Sequence, residues 1–284
     1  MRKALQTAGR AAALLLIGCL CACRTVQPTL PNDPATNPKV KFLVTFDDGP
    51  SARTDYNATL AILDQLAVND VQTNICAIFF IQTHHPRGMG KPHGMDVLKE
   101  IPKHGQIVGL HSVSPRGHVD HTKMPTNELV TLLVDGKQLL KQVSGEETLF
   151  VRPPYGVSNP VTRAIYRDLN LKMLMADIPA HDGVIYGING SPRRRSHIYN
   201  LLASVRNALV EKPAGIEPYP IIFAFHDVNP YTARHMTEYL HIIVEEAARA
   251  GLSFPDQPFY ASPRETAAAA LSRAFPPCVA RCAN

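Results

Sequence analysis

Val40-Lys41-Phe42-Leu43-Val44-Thr45-Phe46-Asp47-Asp48-Gly49-Pro50 is the stretch on which the fold turns. Val40–Phe46 reads as a buried strand. It runs straight into two adjacent carboxylates and a Gly-Pro turn. Outward from it, apolar runs alternate with helix-like stretches. Asn57–Asn69 carries Leu60, Leu63 and Ala67, with Ile62 and Leu66, at helical spacing. Ile75–Ile81 reads as the next strand, Met95–Lys103 as a short helix and Ile107–Leu110 as a third strand. Thr126 suits an N-cap for a helix that runs to Val143 and stops near Gly145. Then come Leu149–Val151 (strand), Asn159–Leu169 (helix), Leu171–Met175 (strand), Ser196–Val210 (helix), Ile221–Phe225 (strand) and Thr232–Ala250, a helix ended by Gly251. This alternation predicts an α/β domain, a distorted, incomplete (β/α) barrel with about seven repeats. The domain is expected over residues 39–260, followed by a tail over 261–284 that packs outside the barrel.

Chemistry in such barrels gathers at the carboxyl ends of the strands. Five strand ends here carry polar clusters: Asp47-Asp48, His111-Ser112, Arg152-Pro153-Pro154-Tyr155-Gly156, Asp177, and His226-Asp227. Adjacent carboxylates repel unless a positive charge lies between them. A divalent metal supplies one, and two His with one Asp form a normal open shell. The carboxylate that does not bind metal is free to act as a general base, and His226 is the natural acid for a leaving nitrogen. Arg152 is placed to hold the base and Asp177 to orient His226. The set amounts to an apparatus for amide hydrolysis.

Thr45-Phe46-Asp47-Asp48-Gly49-Pro50, Arg152-Pro153-Pro154-Tyr155 and Phe225-His226-Asp227 together resemble, in order, three signature motifs of the polysaccharide deacetylase family, also called the NodB-homology or carbohydrate esterase family 4 group. The resemblance spans about Lys39 to Phe254. It implies Asp47 as catalytic base, Asp48 and His111 as metal ligands and Arg152 as the group that positions the base. It also implies the Tyr155 backbone N–H as an oxyanion donor, His226 as general acid, and zinc as the usual metal. The reaction implied is removal of N-acetyl groups from amino-sugar residues of a polysaccharide.

Three departures from the family pattern are visible. The usual position of the second His ligand is Pro115, which cannot ligate. An alignment with about three extra residues makes His118 the missing ligand, with His121 as its rival. The chain has no Trp, so the family's Asp-Trp pair is absent, and Asp177 and Asp182 compete for the acidic role. Ala224 stands where Leu is usual. Tyr186 and Ile178 are the candidates to rebuild the wall of the acetyl pocket.

The N-terminus reads as a signal peptide over 1–23, with Arg2 and Lys3 before the apolar run Ala11–Ile17. That run is shorter than the roughly 20 residues needed to span a bilayer. It ends in Gly18-Cys19 and Ala22-Cys23, and small residue followed by Cys resembles a lipoprotein cleavage box. Cys23 is the favoured lipidation site and Cys19 the alternative. A Pro-rich tether over 24–38 follows. These features predict an exported protein anchored by lipid in a bacterial envelope, in the periplasm or at the outer surface.

The 284 residues carry 29 basic and 24 acidic side chains. Arg2, Lys3 and Arg10 precede the cleavage boxes, so the mature chain is nearly neutral. That argues against nucleic acid as a partner. A polysaccharide or oligosaccharide substrate, a membrane anchor and a monomer are expected. The competing readings are an O-deacetylase or small-amide hydrolase on the same scaffold and, of another class, a non-catalytic glycan-binding module.

Overall fold

The computed structural model describes residues 37–86, 88–182 and 192–275. The signal segment with Cys19 and Cys23, the tether up to residue 36, Tyr186, and the tail cysteines Cys278 and Cys282 lie outside the described residues.

Seven parallel strands form one sheet in the order β5-β4-β3-β2-β1-β7-β6. They are β1 (Val40–Asp47), β2 (Ile78–Ile81), β3 (Ile107–Leu110), β4 (Phe150–Val151), β5 (Lys172–Met173), β6 (Ile178–Pro179) and β7 (Tyr219–His226). The helices are α1 (Ala58–Ala67), α2 (Pro92–Lys103), α3 (Thr126–Ser144), α4 (Pro160–Asp168), α5 (Pro192–Glu211), α6 (Pro230–Arg234), α7 (Met236–Arg249) and α8 (Pro263–Arg273). The architecture is the expected distorted, incomplete (β/α) barrel.

Side chains of a strand alternate between its two faces, and β1 shows what each face is for. Val40, Phe42, Val44 and Phe46 pack into the large core covered by α1–α7. Phe46 stacks on Phe79 at 4.8 Å, and its truncation to Ala is expected to cost about 3–5 kcal/mol. Leu43, on the other face, joins Ile78, Phe80, Phe150, Leu174 and Ile222. Next along this face come Thr45 and Asp47, so the row that forms the inner core ends in a carboxylate.

The parallel register aligns the strand ends. Asp47 pairs with Phe80 on β2 and with His226 on β7. Ladder bonds also carry on just past the short strands. His111 N–H donates to Ile81 O at 2.9 Å, and Arg152 N–H donates to Leu110 O at 2.9 Å. His111 and Arg152 are thereby fixed at the level where the sheet stops.

Several elements differ from expectation. The described part of the tail, through residue 275, does not pack outside. Its Ala-rich part forms α8, whose Ala269 and Ala270 join the inner core with Leu43 and Phe80. Lys41 on β1 pairs with Glu265 of α8 at 2.7 Å. Leu171–Met175 supplies only a two-residue strand, and Ile178–Pro179 adds a strand of its own. The predicted Thr232–Ala250 helix is two helices, separated at His235. Thr126 is the first residue of α3 rather than its cap. Gly145 does end that helix, in the left-handed conformation at φ 78° that glycine adopts without penalty.

Candidate active site

Arg152 holds the first carboxylate. Its Nη1 donates to Asp47 Oδ1 at 2.8 Å and to Thr45 Oγ1 at 2.7 Å, while Nε donates to Leu174 O at 3.0 Å. The guanidinium lies over the Phe80 ring at 4.2 Å. With one face against an aromatic ring and both Nε and Nη1 on fixed acceptors, it has little freedom to swing away. Removing one partner of such a buried pair typically costs about 3–5 kcal/mol.

The second carboxylate turns elsewhere. Asp48 has φ 75°, a left-handed conformation rare outside glycine. That reversal separates the two acids. Gly49 allows the turn to close: a Cβ there would fall 2.0 Å from Asp227 Oδ2. Asp48 Oδ1 lies 3.4 Å from His111 Nε2 and 3.6 Å from His118 Nε2, and the two histidine Nε2 atoms are 3.0 Å apart. Burial works against the Asp48 charge, yet His111, His118 and His226 together hold its carboxyl well below the usual range.

These three side chains present one donor atom each, all within 4.8 Å of one another. His111 Nδ1 lies 2.7 Å from Arg152 O. A carbonyl only accepts, so the proton sits on Nδ1 and the Nε2 lone pair faces the cluster. Donors 3.0–3.6 Å apart match ligands about 2.0–2.2 Å from a single ion. The donor set therefore fits a divalent cation such as zinc. Among the described residues, the structure brings Asp48 and His111 together with His118 and not with His121. The His121 ring is buried, with Nδ1 2.7 Å from Tyr166 Oη. Burial, with His111 nearby, pushes its pKa down to about 3.

His226 closes the opposite side, with Nε2 3.9 Å from Asp48 Oδ2. Its Nδ1 lies 2.7 Å from Asp182 Oδ1, and its backbone N–H donates to Asp182 Oδ2 at 2.8 Å. Thr232 Oγ1 donates to the same Oδ2 at 2.7 Å, and Asn229 Nδ2 to Asp182 O at 2.7 Å. Burial opposes a charge on His226, but Asp182, joined by Asp48 and Asp47, outweighs it and raises the pKa to about 9.

Asp177, expected to orient His226, does not reach it. Its Oδ2 accepts from Ile222 N–H at 2.9 Å, and its Oδ1 accepts from Arg273 of α8. The neighbouring strand and α8 occupy this carboxylate, and Asp182, its rival in the sequence, has the contact. Ile178 is buried in the helix-covered core and cannot line an acetyl pocket.

Gln82 enters without notice in the sequence reading. Its Nε2 donates to Asp48 Oδ1 at 2.6 Å. Gln82 is the first polar residue after the β2 run, the same signal that marked the other strand ends. Tyr155 sits in a 3₁₀ turn at φ 59°, beside His118.

Residues 35–174 match the polysaccharide deacetylase family. That stretch includes Asp47, Asp48, His111, His118, Arg152 and Tyr155 and ends before Asp182 and His226. A Bacillus cereus peptidoglycan-N-acetylglucosamine deacetylase is 30% identical over 118 residues, or 42% of this chain and 37% of the relative. The chain spans less than half the length of the curated relatives it matches. In fold it is similar to the chitin deacetylase of Colletotrichum lindemuthianum (16% identity, 81% of this chain and 94% of that one, TM-score 0.55). It is also similar to a family 4 acetyl xylan esterase from Clostridium thermocellum in complex with a cobalt ion (20% identity, 75% and 86%, TM-score 0.51). The ordered strand-end motifs, the curled seven-stranded sheet and the family match agree: over residues 35–174 the chain belongs to the polysaccharide deacetylase family.

Proposed function

We propose that this protein removes N-acetyl groups from amino-sugar residues of a polysaccharide, using a divalent metal, zinc by its donor set. The observation that carries the reading is the Asp48–His111–His118 donor set lying between two oriented proton carriers. These are Asp47 on Arg152 and His226 on Asp182. A cation in that set supplies Lewis acidity, lowering the pKa of water and polarising a carbonyl oxygen.

The chain's own groups do the rest. Asp47 is fixed at the sheet edge by Arg152 and accepts the proton of the attacking water. The Tyr155 backbone N–H donates to the oxygen that gains charge as the carbonyl becomes tetrahedral. His226 is protonated at neutral pH because of Asp182, and it gives its proton to the departing nitrogen. The C–N bond breaks, leaving acetate and a free amine on the sugar. A neutral amide nitrogen is a poor leaving group, so an acid with a raised pKa suits this step.

The test is incubation with N-acetylglucosamine oligomers while acetate and new primary amines are both measured. Equal amounts of the two support N-deacetylation. Acetate from acetylated xylan alone assigns the protein to O-deacetylation, and tight oligomer binding without either product assigns it to the non-catalytic class.

We further propose export and anchoring through a lipidated Cys23, or Cys19 in the alternative frame. The short apolar run that ends in small-residue–Cys pairs supports this. Among the described residues, no helix is long and apolar enough to cross a membrane.

A further inference from the structure

Tyr155 is 66% exposed, yet its side chain is tied at two points to one residue. Its hydroxyl donates to His118 O at 2.9 Å, and its ring lies 4.4 Å from the His118 imidazole. The backbone beneath it is left-handed, at φ 59° and ψ 8°. A non-glycine residue pays for that conformation, and it persists where the surroundings impose it. Core burial does not explain a side chain so exposed. The turn is closed by Gly156 N–H donating to Pro153 O at 3.0 Å, and the Tyr155 side chain is directed at His118.

His118 needs such support. In the family pattern the second histidine stands four residues after the first, but here that position is Pro115. His118 comes three residues later, outside any helix that would set its direction. Its loop is shaped by a Ser114–Gly117 bridge and by Ser112 Oγ donating to Gly117 O at 2.6 Å. Those bonds stop one residue short of His118. Val119 N–H donates to Gly117 O at 2.9 Å across it, and the imidazole and carbonyl of His118 meet the donor cluster and Tyr155.

We propose that the Tyr155 side chain is a positioning residue for the metal ligand His118. The hydroxyl fixes the His118 carbonyl and the ring braces one face of the imidazole. Affinity for the metal therefore depends on a residue that does not ligate. This rests on the metal reading of Asp48, His111 and His118. It is separate from the role given to the Tyr155 backbone N–H, because side-chain variants keep that N–H.

The test uses the full chain and metal alone. Affinity for zinc is measured by chelator competition in wild type, Tyr155→Phe, Tyr155→Ala and, as a control on the same turn, Val157→Ala. The visible spectrum of the cobalt-loaded forms is recorded, together with thermal unfolding of the metal-free forms. Tyr155→Phe loses one neutral hydrogen bond and is expected to weaken zinc about 5-fold. Tyr155→Ala loses both contacts and is expected to weaken it about 10–100-fold, with shifted cobalt bands. Val157→Ala and all metal-free unfolding temperatures stay at the wild-type value. Wild-type affinity and spectrum in both Tyr155 variants overturn the positioning role and leave the metal site standing. A loss matched by an equal fall in metal-free stability also overturns it, in favour of a general structural role. Absence of metal binding in wild type removes both readings.

Discussion

Asp182 Oδ1 lies 2.7 Å from His226 Nδ1, and Asp182 is completely buried. A carboxylate that also accepts from the His226 backbone and from Thr232 cannot turn away. It fixes the imidazole with Nε2 toward the Asp48–His111–His118 cluster and favours its charged form.

The pH dependence follows from that pair. His226 titrates at about 9, so the acid form is present at neutral pH and is lost as pH rises through about 9. The same raised pKa means that the pair's contribution to stability is complete below about 6.5. It fades as pH climbs toward the folded value. Asp182→Asn keeps the shape and removes the charge. The alkaline limb of kcat/KM is expected to move down toward the ordinary histidine range. An unmoved limb in this variant means that His226 is not the acid or that Asp182 does not set its pKa.

Asp47 and Asp48 are neighbours in sequence, but the left-handed backbone at Asp48 sends them to different partners. Asp47→Asn is expected to keep zinc at wild-type affinity and to lose about 10²–10⁴-fold in turnover. Asp48→Asn is expected to lose the metal. The opposite pattern in metal content means that the two roles are exchanged.

Zinc stoichiometry separates the two candidate histidines. His118→Ala should bind metal weakly, since one of three protein ligands is gone. His121→Ala should retain the metal and lose stability instead, because it empties a buried position beside Tyr166. Tight zinc in His118→Ala with loss in His121→Ala contradicts the geometry of the cluster.

The mass of the mature N-terminus checks the anchor. A diacylated or triacylated Cys23 is expected, and modification at Cys19 selects the other frame. An unmodified terminus at any position ends the proposal.

Much of this site was legible because a parallel sheet puts function at strand ends. Asp47, His111, Arg152 and His226 each follow an apolar run directly, and the ladder fixes them there. What the sequence concealed depends on contacts between distant segments. Asp177 follows its strand as the others do, but Arg273, 96 residues away, takes its carboxylate. Nothing local distinguishes it from Asp182. Gln82 obeyed the strand-end rule but is neutral, and chemistry read from charge passed over it. The Ala-rich tail carries no strong apolar stripe, so its place as α8 against Leu43 and Phe80 emerges only once the sheet leaves that face to be filled.

Metal-assisted amide hydrolysis at the Asp48–His111–His118 cluster requires the metal for turnover. Purified protein is stripped with chelator and assayed for acetate release from N-acetylglucosamine oligomers. The assay is repeated after one equivalent of zinc. Activity is expected to be lost on stripping and recovered at one metal per chain, with no recovery in His118→Ala at the same zinc concentration. Full activity in metal-free protein, or equal recovery in His118→Ala, contradicts it.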